Sequence, residues 1–314
     1  YLTNENIFDL TQCPKHLLVI GGGPIGIEMA QAHRQLGAEV TVLDLGSIMP
    51  KDDAELVDIV RTQLIEEGIT LKENVKVSAV RKEGDQIIVT TDQGEVTGTD
   101  LLVAAGRQVN VDGLDLEAAN IKYSRRGIEV DARLRTTNKK VFAIGDVAGG
   151  FQFTHKAGYD AGIVIRNVLF RMPAKADYSC MPWVTYTSPE LATVGMDEKT
   201  AQAAYGDDLR ILRWPFSEND RARAERKTNG LVKVFTTKKG KILGAAIVGP
   251  NAGELIHPWT LALSQKLKIG AMASAIAPYP TLGEVSKRAA GSFYTPSLFS
   301  EKTKKIVRFL LSFG

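Results

Sequence analysis

The stretch Leu17-Leu18-Val19-Ile20-Gly21-Gly22-Gly23-Pro24-Ile25-Gly26, followed by a helical pattern and then by Val40-Thr41-Val42-Leu43-Asp44, decides the fold of this 314-residue chain. It reads as a strand, a glycine turn, a helix and a second strand. Gly21 permits the tight turn, Gly23 lets the backbone approach a pyrophosphate, and Gly26 lets the helix pack close to the strand. The helix opens on Pro24 and Ile25, and its N-terminus faces the phosphate charge. The second strand ends on Asp44, 18 residues after Gly26, near the roughly 20-residue offset at which an acid meets a ribose 2′-hydroxyl. This is the pattern of a Rossmann-like NAD-binding domain. A 2′-phosphate at ~4 Å from Asp44 would be repelled by about 1 kcal/mol in water and about 4 kcal/mol at an effective dielectric near 20. Leu45-Gly46-Ser47 brings no cation to reverse that sign, so NADH is favoured over NADPH.

With 39 Lys and Arg against 36 Asp and Glu, the net charge is +3, too balanced for a nucleic-acid surface. A length of 314 residues and 44% hydrophobic content allow two or three domains. Arg221, Arg223, Arg226 and Lys227 lie among Asp220 and Glu225 and read as a solvated loop. No apolar run reaches the ~18 residues of a spanning helix, and no secretory leader opens the chain. A soluble cytoplasmic protein with no membrane evident is the expectation. The segment Lys304 to Phe313 is amphipathic enough to lie on a membrane, but the commoner fate of such a tail is docking on its own domain. Cys13 and Cys180 make neither a disulfide framework nor a metal-ligand spacing, and both read as quiet thiols.

Beyond Asp44, the residues Leu56, Val57, Val60, Leu64 and Ile65 form one inward helical face, and Gly68 marks its end. Short runs at Val75–Val77, Ile87–Val89 and Val96–Thr97, separated by turn residues, predict an antiparallel meander. Asp100-Leu101-Leu102-Val103-Ala104-Ala105-Gly106 reads as a buried strand that closes a first domain near residue 108. Val141-Phe142-Ala143-Ile144-Gly145-Asp146 predicts a strand ending in Gly-Asp, which can offer a carboxylate to a hydroxyl chain while the glycine lets a ligand come close. Phe153-Thr154-His155-Lys156-Ala157-Gly158 then leads into a helix. His257 lies in a helical run ending near Lys266 and reads as packed or half-exposed.

These motifs make the chain resemble the flavoprotein disulfide reductases, the class I pyridine nucleotide-disulfide oxidoreductases that include dihydrolipoamide dehydrogenase, glutathione reductase and mercuric reductase. In that family the Thr137-to-Asp146 pattern is the second FAD contact. Pro182-Trp183-Val184, Ser188-Pro189-Glu190, Lys241-Ile242-Leu243-Gly244 and Ala252-Gly253-Glu254 resemble its dimerisation domain. The resemblance implies an α/β architecture in four parts: a connector over 1–12, an NAD-binding domain over 13–108, a returning segment of the FAD-binding domain over 109–175, and an α+β dimerisation domain over 176–314. It implies that Asp146, with Gly145, meets the ribityl chain, that the backbone near His155 faces the flavin, that Glu28 and Gly106 lie near the nicotinamide, and that the protein is a homodimer.

Two departures from that family follow from the same residues. Its N-terminal FAD fingerprint and redox-active cysteine pair have no counterpart after Tyr1, so the chain holds a partial FAD site and is expected to be inactive alone. Without the pair no thiolate carries electrons. At Tyr279-Pro280-Thr281-Leu282-Gly283-Glu284, thiol-reducing members carry a His where this chain has Tyr279. A phenol with a reference pKa of about 10 is a poor base near neutrality. Mercuric reductases have a Tyr there, together with a C-terminal cysteine pair, and no cysteine follows Cys180 here. Tyr279 and Glu284 are the catalytic candidates, while Thr281 and Glu284 also fit a capping box for a helix running to about Ala290. Three functions remain in view: an NADH-dependent flavoprotein passing electrons through a cysteine pair to a thiol, disulfide or soft-metal acceptor; a quinone or soft-metal reductase without dithiol chemistry; and a non-catalytic NAD-sensing dimer.

Overall fold

Apolar runs broken by glycines build the first sheet. β1 (His16–Ile20) buries Leu17, Leu18 and Val19 completely, because both faces of a parallel strand are covered. α1 (Pro24–Gln35) leads to β2 (Glu39–Leu43), and α2 (Ala54–Glu66) leads to β3 (Thr70–Lys72). The Asp53 carboxylate accepts from the Glu55 N–H to cap α2, and Gly68 ends its last turn at φ +89°. Leu56, Val57, Val60 and Leu64 are buried, whereas Ile65, expected on the same face, is 56% exposed. A residue lies about 100° around the helix from its neighbour, which carries Ile65 past the edge of the stripe.

The meander consists of β4 (Val77–Glu83), β5 (Gln86–Thr91) and β6 (Gly94–Gly98), all antiparallel. Its first strand starts at Val77 and runs through Arg81, Lys82 and Glu83 instead of occupying Val75–Val77. Val75 joins Leu18, Leu43, Val89 and Leu101 in the core beneath the meander, and the charged half of β4 lies in solvent. β7 (Asp100–Val103) pairs with β1, which gives a parallel sheet of order β3-β2-β1-β7.

The structure is a computed structural model that describes residues 1–313; Gly314, at the end of the expected dimerisation domain, lies outside the described residues. The chain divides into two units, residues 1–105 with 182–314 and residues 106–181. In the second unit, β8 (Tyr123–Ser124) pairs with β9 (Gly127–Ile128), and Leu116, Ile121, Ile128 and Ala143 form a small core beside α3 (Thr154–Val168). The expected strand at 141–146 is extended at Ile144 and then enters a 3₁₀ turn over Gly145–Ala148. Among the described residues its pairing is a single bridge between Arg135 and Phe142. A ladder needs a neighbour along its length.

The remainder of the first unit holds β10 (Pro182–Thr185), β11 (Glu190–Gly195), α4 (Glu198–Tyr205), β12 (Leu209–Pro215), α5 (Asp220–Ala224), β13 (Leu231–Thr237) and β14 (Ile242–Gly249). α6 (Ala252–Leu255), α7 (His257–Ser264), α8 (Ile269–Ser274), α9 (Glu284–Ser292), α10 (Thr295–Leu298) and α11 (Glu301–Leu311) follow. The sheet is antiparallel, of order β10-β11-β14-β13-β12. Val194, Val232, Val234, Trp259, Val285 and Ala289 fill the core on its α7 and α9 face. On the other face Leu191, Ala246 and Val248 share a core with Leu56, Val57 and Val60 of α2, so that helix packs between two sheets. Of the basic segment expected as a loop, Arg221 and Arg223 lie on the short helix α5, while Arg226 and Lys227 lie in the loop after it; all four are exposed, and Arg221 pairs with Glu225. The expected docking of the tail is not seen: α11 has no buried residue.

Lys233 on β13 is 2% exposed, and its ammonium meets Asp53 Oδ2 at 2.8 Å, Glu55 Oε2 at 2.8 Å and Glu198 Oε2 at 2.6 Å. Burial alone would lower its pKa, but the bonds from Asp53, Glu198 and Glu55 hold it above the ordinary lysine value. Arg213, with help from Lys233 and against burial, holds the Glu55 carboxyl at about 2. Replacing Lys233→Met should cost about 3–5 kcal/mol in urea unfolding, because Asp53 stays buried without its cation. The Glu55 pairing contributes fully above its ordinary value of 4.5 and is lost as pH falls towards 2. Glu55→Gln should therefore flatten the loss of stability across that acid window, and an unchanged acid limb would count against the pairing.

Candidate functional site

At the end of β1 three glycines meet three different constraints. Gly21 has φ +114°, and a Cβ there would lie 2.5 Å from the Ala104 carbonyl oxygen. A Cβ on Gly26 would lie 1.9 Å from the Gly21 oxygen, so only glycine lets α1 come this close. A Cβ on Gly23 would meet nothing within 4 Å. Gly23 is the N-cap of α1, no side chain accepts from that helix end, and Pro24 and Ile25 are exposed. The turn thus leaves space and uncapped helix-end amides, which is what a diphosphate uses.

Asp44 is committed more fully than its sequence position shows. Its Oδ2 accepts the Gly22 N–H at 2.6 Å and its Oδ1 accepts the Gly46 N–H at 2.7 Å. The carboxylate ties the turn after β1 to the turn after β2, and each oxygen keeps a lone pair for a ribose hydroxyl.

Further along α1, Glu28 Oε1 accepts the Tyr186 N–H at 2.8 Å. Burial pushes the Glu28 carboxyl above its ordinary range, and that bond partly offsets the rise. Gln31 both donates to the Ser188 carbonyl and accepts from the Ser188 N–H, each at 2.8 Å. The helix that carries the glycine turn is therefore bonded to the segment joining β10 and β11.

In the second unit, Gly106 has φ +137°, and the adjacent Arg107 lies 3.7 Å from Asp146 Oδ2 and donates to the Gln152 carbonyl at 2.8 Å. Gly145 has φ +68° and donates its N–H to Asp160 Oδ2 at 3.0 Å. Lys156 Nζ meets that same carboxylate oxygen at 2.7 Å and the Gly145 carbonyl at 3.2 Å. Tyr178 donates to Asp160 Oδ1 at 2.6 Å, and both burial and this bond raise its hydroxyl pKa. Lys156 and Asp160 are buried, while the Asp146 side chain is half-exposed. The buried charges hold the turn and leave Asp146 outside. His155 is exposed, and its ring stacks on Phe153 at 5.1 Å. Sequence reading missed Lys156 and Asp160; their i,i+4 spacing on α3 was the available signal.

Tyr279 is 70% exposed and donates to Asp220 Oδ2 at 3.0 Å. That bond and the neighbouring Glu284 charge raise the phenol pKa, so near neutral pH it is a donor. The capping box is not formed. Glu284 is the first residue of α9, Gly283 caps it without a side-chain bond, and Thr281 donates to the Pro278 carbonyl at 2.7 Å. Thr281 lies too far before the helix to reach its third amide. Asn219 Nδ2 donates to the Thr281 carbonyl at 3.0 Å. Asp220 was not foreseeable, because it lies 59 residues from Tyr279.

Residues 1–161 match the family profile of the pyridine nucleotide-disulphide oxidoreductases, and residues 181–290 match that family's dimerisation domain. The chain belongs to the pyridine nucleotide-disulphide oxidoreductases. It is 34% identical to a mercuric reductase of Bacillus cereus over 93% of this chain and 47% of that protein. It is 36% identical to a dihydrolipoyl dehydrogenase of Geobacillus stearothermophilus over 92% of this chain and 63% of that one. The chain thus spans about half to two thirds of the length of these curated relatives. Among solved structures, the Cu(II) complex of the HOCl-induced flavoprotein disulfide reductase from Escherichia coli matches with a TM-score of 0.88 and 28% identity, over 92% of this chain and 66% of that one. Membership confirms the α/β fold class and implies NAD(P) and FAD as the family's cofactors.

The glycines separate packing from binding. Gly26→Ala should lower both the melting temperature and NADH binding measured by calorimetry. Gly23→Ala, placed in open space, should leave the melting temperature in place and weaken NADH binding alone.

Proposed function

We propose that this chain is the NAD-binding and dimerisation part of an NADH-dependent FAD oxidoreductase similar to mercuric reductase and dihydrolipoyl dehydrogenase. The open space at Gly23, above an uncapped helix end and beside Asp44, carries the reading. In it, Gly21, Gly23, Pro24, Ile25 and Gly26 shape the diphosphate cradle, and Asp44 orients the adenosine ribose. Glu28 and Gly106 flank the nicotinamide. Gly145 and Asp146 receive the ribityl chain, with the His155 backbone towards the flavin. FAD, when bound, supplies the two-electron relay between nicotinamide and acceptor. The acceptor is a thiol, disulfide or soft metal reached through a cysteine pair outside this sequence. The isolated chain is then a binding module without turnover.

Several exposed apolar residues of the second unit support a larger parent. Ile144, Ile165, Leu169 and Phe170 are between 37% and 70% exposed, which weighs against a stand-alone NAD-sensing module. Homodimerisation is proposed from the dimerisation domain, with Tyr279 and Glu284 serving the partner's site. The bond from Tyr279 to Asp220 favours one alternative, a quinone or soft-metal reductase that needs no neutral-pH base at this position.

Asp44 sets the expected selectivity. Calorimetric titration of the chain should show NADH binding about tenfold or more tighter than NADPH, a difference of roughly 1.4 kcal/mol. Asp44→Ala should narrow that gap; equal affinities in the unaltered chain would overturn the NADH assignment. In the full-length protein, Tyr279→His should leave quinone reduction largely intact if the alternative holds, whereas a large loss would assign Tyr279 to substrate chemistry.

A further inference from the structure

We propose that the C-terminal helix α11 seats the protein on an anionic lipid bilayer, lying flat in the headgroup layer. Ile306, Val307, Phe309, Leu310 and Leu311 are between 47% and 69% exposed. At about 100° per residue they occupy one arc of about 200°. Phe313 packs edge-on against Phe309 at 4.8 Å and extends that face. Lys304, Lys305 and Arg308 share the opposite side with Glu301 and Ser312, and Lys302 and Thr303 interrupt the apolar arc only in the first turn. A large apolar face backed by a basic one is the pattern of an interfacial helix.

Charge identifies the occupant. Residues 301–313 hold four bases and one acid, which accounts for the whole +3 of the chain, and the 300 residues before them carry equal numbers of acids and bases. The excess positive charge of the protein is thus confined to one amphipathic helix. Anionic headgroups are the surface that neutralises those cations while the apolar face is buried beneath them. The tail also has local order of its own: Ser300 caps α11 by accepting the Thr303 N–H, and the Thr303 hydroxyl donates to the Ser297 carbonyl at 2.7 Å. Eleven residues span about 16 Å, well short of the ~30 Å hydrocarbon core. The helix must therefore lie on the surface, consistent with the absence of a membrane-spanning helix among the described residues.

The test is co-sedimentation of the 314-residue chain with vesicles of phosphatidylcholine alone and of an equal mixture of phosphatidylcholine and phosphatidylglycerol. Binding to the mixture but not to phosphatidylcholine is expected, and it should weaken as salt is raised. Arg308→Gln should lower the partition coefficient roughly fivefold, the effect of one basic residue at the surface. Leu310→Glu should lower it about tenfold or more. Both side chains are exposed, so the circular dichroism of either variant should match that of the unaltered chain. Absence of vesicle binding, or equal binding to both compositions, would overturn the proposal. So would Leu310→Glu dissociating an oligomer in light scattering while vesicle binding persists, which would make a second copy the occupant.

Discussion

The burial of one ammonium group organises the larger unit. Lys233 projects from an antiparallel strand onto the end of α2, where Asp53 has already been fixed as a helix cap. An ion in such a place is tolerable only when its partners are all present, and Asp53, Glu55 and Glu198 supply them from two helices. The requirement ties the start of α2 to β13 of the antiparallel sheet. The apolar side of α2 then completes a core to which Leu191 and Val248 contribute from one sheet and Val19 and Val42 from the other. The glycine turn rests on that shared core, and its geometry depends on a contact formed far away in sequence.

What could be read from the sequence divides along physical lines. The turn after β1 was legible because its constraints are local: a backbone at positive φ and a helix that must touch a strand each require glycine, whatever surrounds them. The apolar stripe of α2 was legible for the same reason, up to Ile65, where the width of the stripe depends on neighbours from another part of the chain. The charged half of β4 was not, since a strand with both faces in solvent carries no apolar alternation. Lys233 and Asp53 are 180 residues apart, and no period or motif connects them.

The candidate site shows the same split. Asp44 was recognisable by its offset from Gly26, but its bonds to the Gly22 and Gly46 amides give the residue a structural task as well, which spacing alone does not express. Around Gly145 the visible carboxylate was Asp146, while the turn is held by Lys156 and Asp160 behind it. At Tyr279 the sequence identified the unusual residue and missed Asp220, the group that decides whether the phenol gives or takes a proton.

The bonds from Glu28 and Gln31 to residues 186 and 188 have a mechanical meaning. α1 is a rod of 12 residues, about 18 Å long; its tip lies at the glycine turn and its flank is stitched to the lead-in of β11. A rod fixed along its side does not swivel freely at its end. Any tilt of the tip travels as a lever stroke to the edge of the antiparallel sheet.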